Sequence, residues 1–104
     1  MIDTALFQNI AAQMMASDQV EVADAILPVR RTSSQRLKTV TFTSDGQKYQ
    51  AIEQNPDKPS RWGQLARSGH QVVQFKNVAN NRFVAVSVDG KVTVYGGGAN
   101  RAAG

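Results

Sequence analysis

Two alternating stretches flank the dipeptide Asp45-Gly46, and this pattern constrains the fold more than any other feature of the sequence. The stretch TVTFTS precedes the dipeptide and QKYQAIE follows it. Asp-Gly between two such runs is the strongest short-range signal for a β-hairpin with a two-residue turn. That turn places Phe42 opposite Tyr49 on one apolar face. The sequence therefore predicts an antiparallel sheet with at least one buried side.

Two further hairpins are expected in the last third of the chain. A two-residue Asn80-Asn81 turn would join the first pair of strands, because Asn tolerates the positive φ that this turn requires. It would place Phe75 opposite Val86.

The last hairpin surrounds Asp89-Gly90, where a two-residue turn would mix polar and apolar residues on each face. A three-residue turn that begins at Val88, with a bulge at the glycine, would instead oppose Val86 to Val92. The apolar pattern favours the three-residue turn.

The N-terminal part predicts one helix and then becomes ambiguous. Residues 3–16 carry apolar side chains at helical spacing, with Asp3 or Thr4 as the N-cap. Residues 18–29 suit either a helix or short strands. The polar stretch 30–38 has no apolar period and is expected to be a loop.

A short helix is expected between the hairpins, with Trp62 on its inner side. Asp57 or Ser60 can cap this helix, and Gly69 can end it. Trp62 is interpreted as a plug in the open end of a small barrel, rather than as an exposed stacking group.

This order of elements indicates an α+β domain that is mainly β. We expect a small, partly closed antiparallel barrel of about five strands, SH3-like or OB-like, with one short helix between strands and an amphipathic helix at the N-terminus. A strand within residues 20–29 would bring the order closer to an OB-fold. Fold class alone does not give function.

The charge is divided unevenly along the chain, although the net charge is +4. Residues 1–29 carry four acidic residues and no lysine or arginine, which gives −4, and the rest carries 12 basic against four acidic residues, which gives +8. We expect an acidic helical arm (1–29), a basic barrel-like domain (30–95) and a disordered glycine-rich tail (96–104).

The composition offers little for catalysis. The chain has no cysteine and a single histidine, His70, so neither a thiolate site nor a histidine cluster can hold a metal. His70 is interpreted as a solvated residue that opens a strand, and no nucleophile, phosphate loop or carboxylate pair is recognisable. We expect a non-enzymatic cytoplasmic protein without cofactor, metal or membrane segment.

The candidate contact residues are basic and aromatic. Phe83 and Tyr95 are expected on a second apolar sheet face, which the N-terminal helix is predicted to cover. Those two aromatics and Trp62 are the candidates for stacking on bases. The cationic candidates for binding nucleic acid or another partner are Arg30, Arg31, Arg36, Lys38, Arg61, Arg67, Lys76 and Arg82.

Two functional hypotheses follow. The basic domain and its aromatic residues favour a module that binds RNA or single-stranded DNA. The alternative is a protein-interaction or assembly module, including a homodimer, in which the acidic arm docks on a basic body. The sequence identifies neither the ligand nor the pathway.

Overall fold

The structure, a computed structural model, describes residues 2–95. Two helices and eight strands follow one another along the chain: α1 (Thr4–Ala16), β1 (Gln19–Val22), β2 (Ala25–Pro28), β3 (Arg30–Arg31), β4 (Lys38–Ser44), β5 (Gln47–Glu53), α2 (Arg61–Arg67), β6 (Val72–Asn77), β7 (Arg82–Val88) and β8 (Lys91–Val94). The predicted tail over residues 96–104 lies outside the described residues.

Helix α1 is the predicted amphipathic helix, and its N-cap is Asp3. The Asp3 carboxylate accepts a hydrogen bond from the backbone N–H of Leu6 at 3.1 Å, which satisfies one of the unpaired amides at the start of the helix. The buried stripe of α1 consists of Phe7, Ile10, Ala11 and Met14. This stripe needs an apolar surface, and the sheet provides it.

The ambiguous stretch 18–29 is a β-hairpin, β1–β2, which forms a small second sheet. Val20 of β1 is fully buried against the core. The side-chain amide of Gln13 binds the free edge of β1: it donates to the Glu21 carbonyl at 3.0 Å and accepts from the Glu21 N–H at 2.8 Å. Gln13 thus substitutes for a neighbouring strand and blocks an edge that could otherwise pair with another chain.

The main sheet has six strands in sequence order, β3-β4-β5-β6-β7-β8, all antiparallel. The predicted register of the first hairpin is confirmed, with Phe42 opposite Tyr49. Both turn residues, Asp45 and Gly46, have positive φ, as the two-residue turn requires. The prediction of a loop over residues 30–38 was wrong at both ends, because Arg30 pairs with Thr39 as β3 and Lys38 begins β4.

The predicted registers of the two later hairpins were wrong. A four-residue loop joins β6 to β7, closed by a bond from the Asn81 N–H to the Asn77 carbonyl. Phe75 therefore lies opposite Ala85 rather than Val86, and the irregularity falls between residues 75 and 76. The loop is two residues longer than predicted and the bulge takes up one residue, so the register at Phe75 differs from the prediction by one, which exchanges the two faces of the rest of β7.

The last turn has two residues, not the predicted three. Val88 pairs with Lys91, and Asp89 and Gly90 both have positive φ, at 51° and 87°. The Asp89 carboxylate accepts from the Gln71 N–H at 2.9 Å, and the Asp89 N–H donates to the Gln71 carbonyl at 2.9 Å. These bonds offset the strain of a non-glycine residue in the left-handed region.

The six-stranded sheet has two different faces. On the α1 face, Phe7 packs against Phe42, Tyr49 and Phe75, with ring centroids 5.3, 5.2 and 4.4 Å away. The opposite face, which we name the α2 face, bears the side chains of Gln50, Gln74, Lys76, Phe83, Val86 and Tyr95, as strand alternation and the register require.

The prediction that the N-terminal helix covers Phe83 and Tyr95 was therefore wrong. Both sheet faces carry enough apolar residues to receive a helix, and the three aromatic rings on the α1 face offer Phe7 more contact area.

The fold is thus mainly β, with the expected N-terminal and inter-strand helices and two antiparallel sheets. Within residues 2–95 the sheet does not close into a barrel, since β3 and β8 are its two edges. Neither helix in this range is long and apolar enough to cross a bilayer.

Candidate functional site

Helix α2 lies on the α2 face and determines the shape of the candidate site. The Ser60 hydroxyl caps α2 by accepting from the Gly63 N–H at 3.0 Å. A Cβ at Gly63 would lie 2.0 Å from the Lys58 carbonyl oxygen, so only glycine permits this close approach between helix and loop. The helix ends at Gly69, with φ of 96°, as predicted.

One predicted contact residue, Arg67, stabilises this connection instead of facing outward alone. Its guanidinium donates to the carbonyls of Pro56 at 2.6 Å and Lys58 at 3.1 Å. These bonds hold the loop before α2 against the helix, so part of the donor capacity of Arg67 is used internally.

Trp62, Tyr95 and Arg61 form a cluster on the α2 face. The Trp62 and Tyr95 rings lie 6.4 Å apart, and the Arg61 guanidinium lies 5.1 Å from the centre of the Trp62 ring, within the range of a cation–π contact. Both rings are half-buried. Trp62 is therefore a partly exposed residue on an open sheet rather than a plug in a closed barrel.

The Tyr95 hydroxyl stays protonated throughout the physiological range. Burial raises the pKa of Tyr95 to about 12, while the neighbouring Gln74 side chain and the charge of Arg61 act in the opposite direction. Tyr95 thus contributes a neutral hydroxyl and a ring, not a charge.

Lys76 and Phe83 face each other across β6 and β7 on the same face. Phe83 is half-buried and lines a cavity of about 180 Å³. The other lining residues are Gln35, Leu37, Ile52, Glu53, Gln54, Asn55, Lys58 and Gln74. Because Gln35 and Leu37 belong to the loop that contains Arg36, the cavity joins the arginine-rich loop to Phe83.

The sequence around the site is rich in cations: residues 30–104 carry 12 lysines and arginines against four acidic residues. An excess of positive charge favours an anionic partner.

The structure separates the predicted cations into two groups. Arg61 and Lys76 lie on the α2 face, Arg30 shares the face of Thr39 there, and Arg36 lies in the loop beside the cavity. The exposed Lys58, at the cavity, is an addition that the sequence analysis did not select.

Three other candidates lie elsewhere. Arg82 pairs with Asn77 and so lies on the α1 face. The Lys38 ammonium donates to the Met15 carbonyl at 3.2 Å, which ties β4 to α1. The Arg31 guanidinium donates to the Arg36 carbonyl at 3.1 Å and closes the arginine-rich loop.

His70 has a partner that the sequence analysis missed. Its Nδ1 lies 2.6 Å from the Asp89 carboxylate, and both side chains are about half exposed, at 44% and 52%. The hydrogen bond from His70, followed by that from the Gln71 amide, lowers the pKa of Asp89. Finding this pair from the sequence needed the β6–β7–β8 register, which the predicted turns had wrong.

Comparison with known proteins adds no assignment: no protein-family model, no curated protein and no solved structure matches this chain. The candidate site therefore depends on its own geometry, which is a sheet face partly covered by α2, with half-buried aromatics and cations.

Proposed function

We propose that this protein is a non-catalytic module that binds single-stranded nucleic acid, RNA or DNA, through the α2 face. One observation carries the proposal: three half-buried aromatic residues, Trp62, Phe83 and Tyr95, share a face with the cations Arg61 and Lys76. Non-specific single-strand binders combine these two elements, a cationic surface that follows the phosphates and aromatic rings on which bases stack.

The arrangement of the cations supports an extended ligand. Arg30 and Arg36 lie at the β3 side of the face, Lys58 lies at the cavity, and Arg61 and Lys76 lie towards β7 and β8. A strand bound along this path would cross the aromatic residues between cations. The described cavities, at about 180 to 270 Å³, are smaller than the roughly 300–1,000 Å³ of typical small-molecule sites.

Fluorescence anisotropy with a labelled 12-nucleotide single strand tests the proposal, with separate RNA and DNA arms. Binding is expected at low salt, and log Kd should rise with log[salt] at a slope of about 0.7 per phosphate neutralised. No binding of either strand at low salt would contradict the proposal.

A matched pair of variants tests the location. Arg61→Gln and Arg82→Gln remove the same charge from opposite sheet faces. Arg61→Gln should weaken binding and lower the slope of log Kd against log[salt] by about 0.7, the value for one phosphate contact. Arg82→Gln should change the affinity and the slope only slightly. Equal losses from the two variants would exclude the α2 face as the specific contact surface.

We also infer which of the two predicted fold types, SH3-like or OB-like, this sheet resembles more. An OB-fold requires a Greek-key connection between strands that are not neighbours in sequence. Sequential pairing from β3 to β8 supports an SH3-like rather than an OB-like relation. A reducing, cytoplasmic setting is part of the same proposal and is supported by the absence of cysteine.

The assembly-module alternative has one supporting observation. Ile26 in the acidic N-terminal segment is 66% exposed, and in a homodimer it would add an apolar contact to the attraction between the −4 segment 1–29 and the +8 remainder of the partner copy. Light scattering on wild type and Ile26→Ser separates the two functions: a dimer that dissociates in the variant would favour assembly.

A further inference from the structure

The last strand of the main sheet, β8, has an outer edge with main-chain groups in defined positions. The Tyr95 N–H donates to the Val84 carbonyl at 2.9 Å, so the odd-numbered residues from 91 to 95 bond to β7. In an antiparallel ladder only every second residue bonds to a given neighbour. The N–H and C=O groups of Val92 and Val94 therefore point away from β7, and no strand within residues 2–95 pairs with them.

The other described sheet edges are each protected against pairing with a second chain. Gln13 binds the β1 edge, and Pro28 leaves the β2 edge without a donor at its last position. Strand β3 has two residues, Arg30 and Arg31, and their charges would repel those of a second copy. Strand β8 has neither proline nor bulge, and its one charged residue, Lys91, stands at its first position.

The β8 edge also exposes apolar side chains. Val94 is 43% exposed and Val92 is half-buried. Both lie on the α1 face of the sheet, because they pair with Ala85 and Ser87. An added strand would satisfy the outward main-chain groups and cover the valines at the same time. The occupant that fits this edge is thus an extended segment with apolar residues at alternate positions.

We propose that the β8 edge is a self-association surface, on which β8 of a second copy of this chain pairs antiparallel about a two-fold axis at Thr93. In this register Val92 lies opposite Val94 of the second copy, and each such pair exchanges both of its N–H···O=C bonds. The axis runs perpendicular to the sheet, so the two sheets become one and both α2 faces lie on the same side. The interface is separate from the proposed nucleic-acid contacts and does not rest on them.

The sequence of the β8 edge suits its own reversed copy. Residues 92–94, Val-Thr-Val, read the same in both directions, so valine meets valine and Thr93 meets Thr93, a favourable cross-strand pair. Lys91 lies opposite the uncharged Tyr95 of the second copy, and the length of the strand separates the two Lys91 ammonium groups. Because a two-fold interface uses the same patch on both copies, it closes as a dimer and leaves no further edge of β8 exposed.

The association should depend on concentration, because the paired segment has four residues per copy and stable interfaces bury roughly 1,200–2,000 Å². Sedimentation velocity without nucleic acid, from about 10 µM to about 1 mM, should show the average mass rising from 11.3 kDa towards twice that value. Val94→Lys should weaken the dimer at least tenfold, because it places a charge on the edge. Val78→Lys is the matched control: Val78 has the same exposure of 43% but lies after β6, so the dimer should persist.

Cysteine variants test the register. The chain has no cysteine, and the Cα atoms of a non-hydrogen-bonded antiparallel pair lie about 4.5 Å apart, within reach of a disulfide. Thr93→Cys should therefore give a disulfide-linked dimer under mild oxidation. Lys91→Cys is the matched control, exposed on the same strand; its two copies would lie about 13 Å or more apart and should not cross-link.

Each outcome decides the proposal. A protein that stays monomeric over the whole concentration range, a dimer that persists in Val94→Lys, or equal cross-linking of the two cysteine variants overturns the β8 interface. If Val94→Lys does not fold, the contrast between Thr93→Cys and Lys91→Cys decides alone. Ile26→Ser should keep the dimer, and a dimer that it abolishes would place self-association on the β1–β2 hairpin and overturn the proposal.

Discussion

Truncation of Phe7 tests the central packing contact of the fold. Phe7 is fully buried and contacts three aromatic rings at 4.4 to 5.3 Å. A buried Phe removes about 150–200 Å² from water, worth about 4–5 kcal/mol at roughly 25 cal/mol per Å². Since Ala retains part of this, Phe7→Ala should lower the free energy of unfolding by about 3–5 kcal/mol.

The comparison with Phe83→Ala makes this prediction specific. Phe83 is only half-buried and lies on the α2 face, so its truncation should cost about 1–2 kcal/mol. Urea titrations measure both changes: with an m-value of about 1.5 kcal/mol per M, Phe7→Ala should move the midpoint by roughly 2–3 M. If that variant does not fold, Phe7→Leu should show a smaller shift in the same direction. Equal costs for Phe7→Ala and Phe83→Ala would refute the assignment of α1 to its face.

Three further changes probe the rest of the structure. Gly63→Ala should lower the free energy of unfolding by about 2–3 kcal/mol because its Cβ would overlap the Lys58 carbonyl. Gly46→Ala should cost only about 1 kcal/mol for its positive φ, because the new Cβ would lie in open space. Similar urea midpoints for the two variants would contradict this. Gln13→Ala should speed amide exchange at Glu21 about tenfold because it removes both bonds to the β1 edge, and Gln8→Ala, exposed on the same helix, should not. Because the pKa of Asp89 is lowered in the fold, the pairing of Asp89 stabilises the protein above its unfolded-state pKa of about 4, and this contribution is lost as pH falls through the folded-state pKa. The difference in unfolding free energy between wild type and Asp89→Asn should therefore shrink from about pH 6 to pH 3. A difference that stays constant with pH would show that the ionised carboxylate is not responsible.

Short sequence patterns predicted an element correctly where the pattern was compatible with only one structure. The Asp3 cap with its apolar period predicted α1, and Asp45-Gly46 with a one-sided apolar hairpin predicted the β4–β5 register. The helix around Trp62 was also predictable, because a capping residue and a terminal glycine bracket it.

The register of a strand could not be predicted from the sequence where both faces of that strand are apolar. In β7, Phe83, Val84, Ala85 and Val86 follow one another, so alternation does not distinguish registers one residue apart. The four-residue loop before β7 was concealed by the Asn80-Asn81 pair. Because both faces are apolar, α1 was predicted on the face of the sheet that bears Phe83 and Tyr95, which was wrong.

The candidate site was predictable as a set of residue types, not as a place. The aromatics and several cations were selected from the sequence, but the cavity depends on residues far apart in the chain, such as Gln54 and Phe83. The burial of Gln54 leaves no local sequence signal.

The most direct measurement of the central proposal is an NMR map of the ¹⁵N-labelled protein titrated with an unlabelled 12-nucleotide single strand at low salt. We predict that the largest amide shifts will fall on the α2 face, at Arg61, Lys76 and Phe83 and around the cavity, and that they will reverse on addition of salt. Shifts confined to α1 and the β1–β2 hairpin, or no shifts at all, would contradict the account.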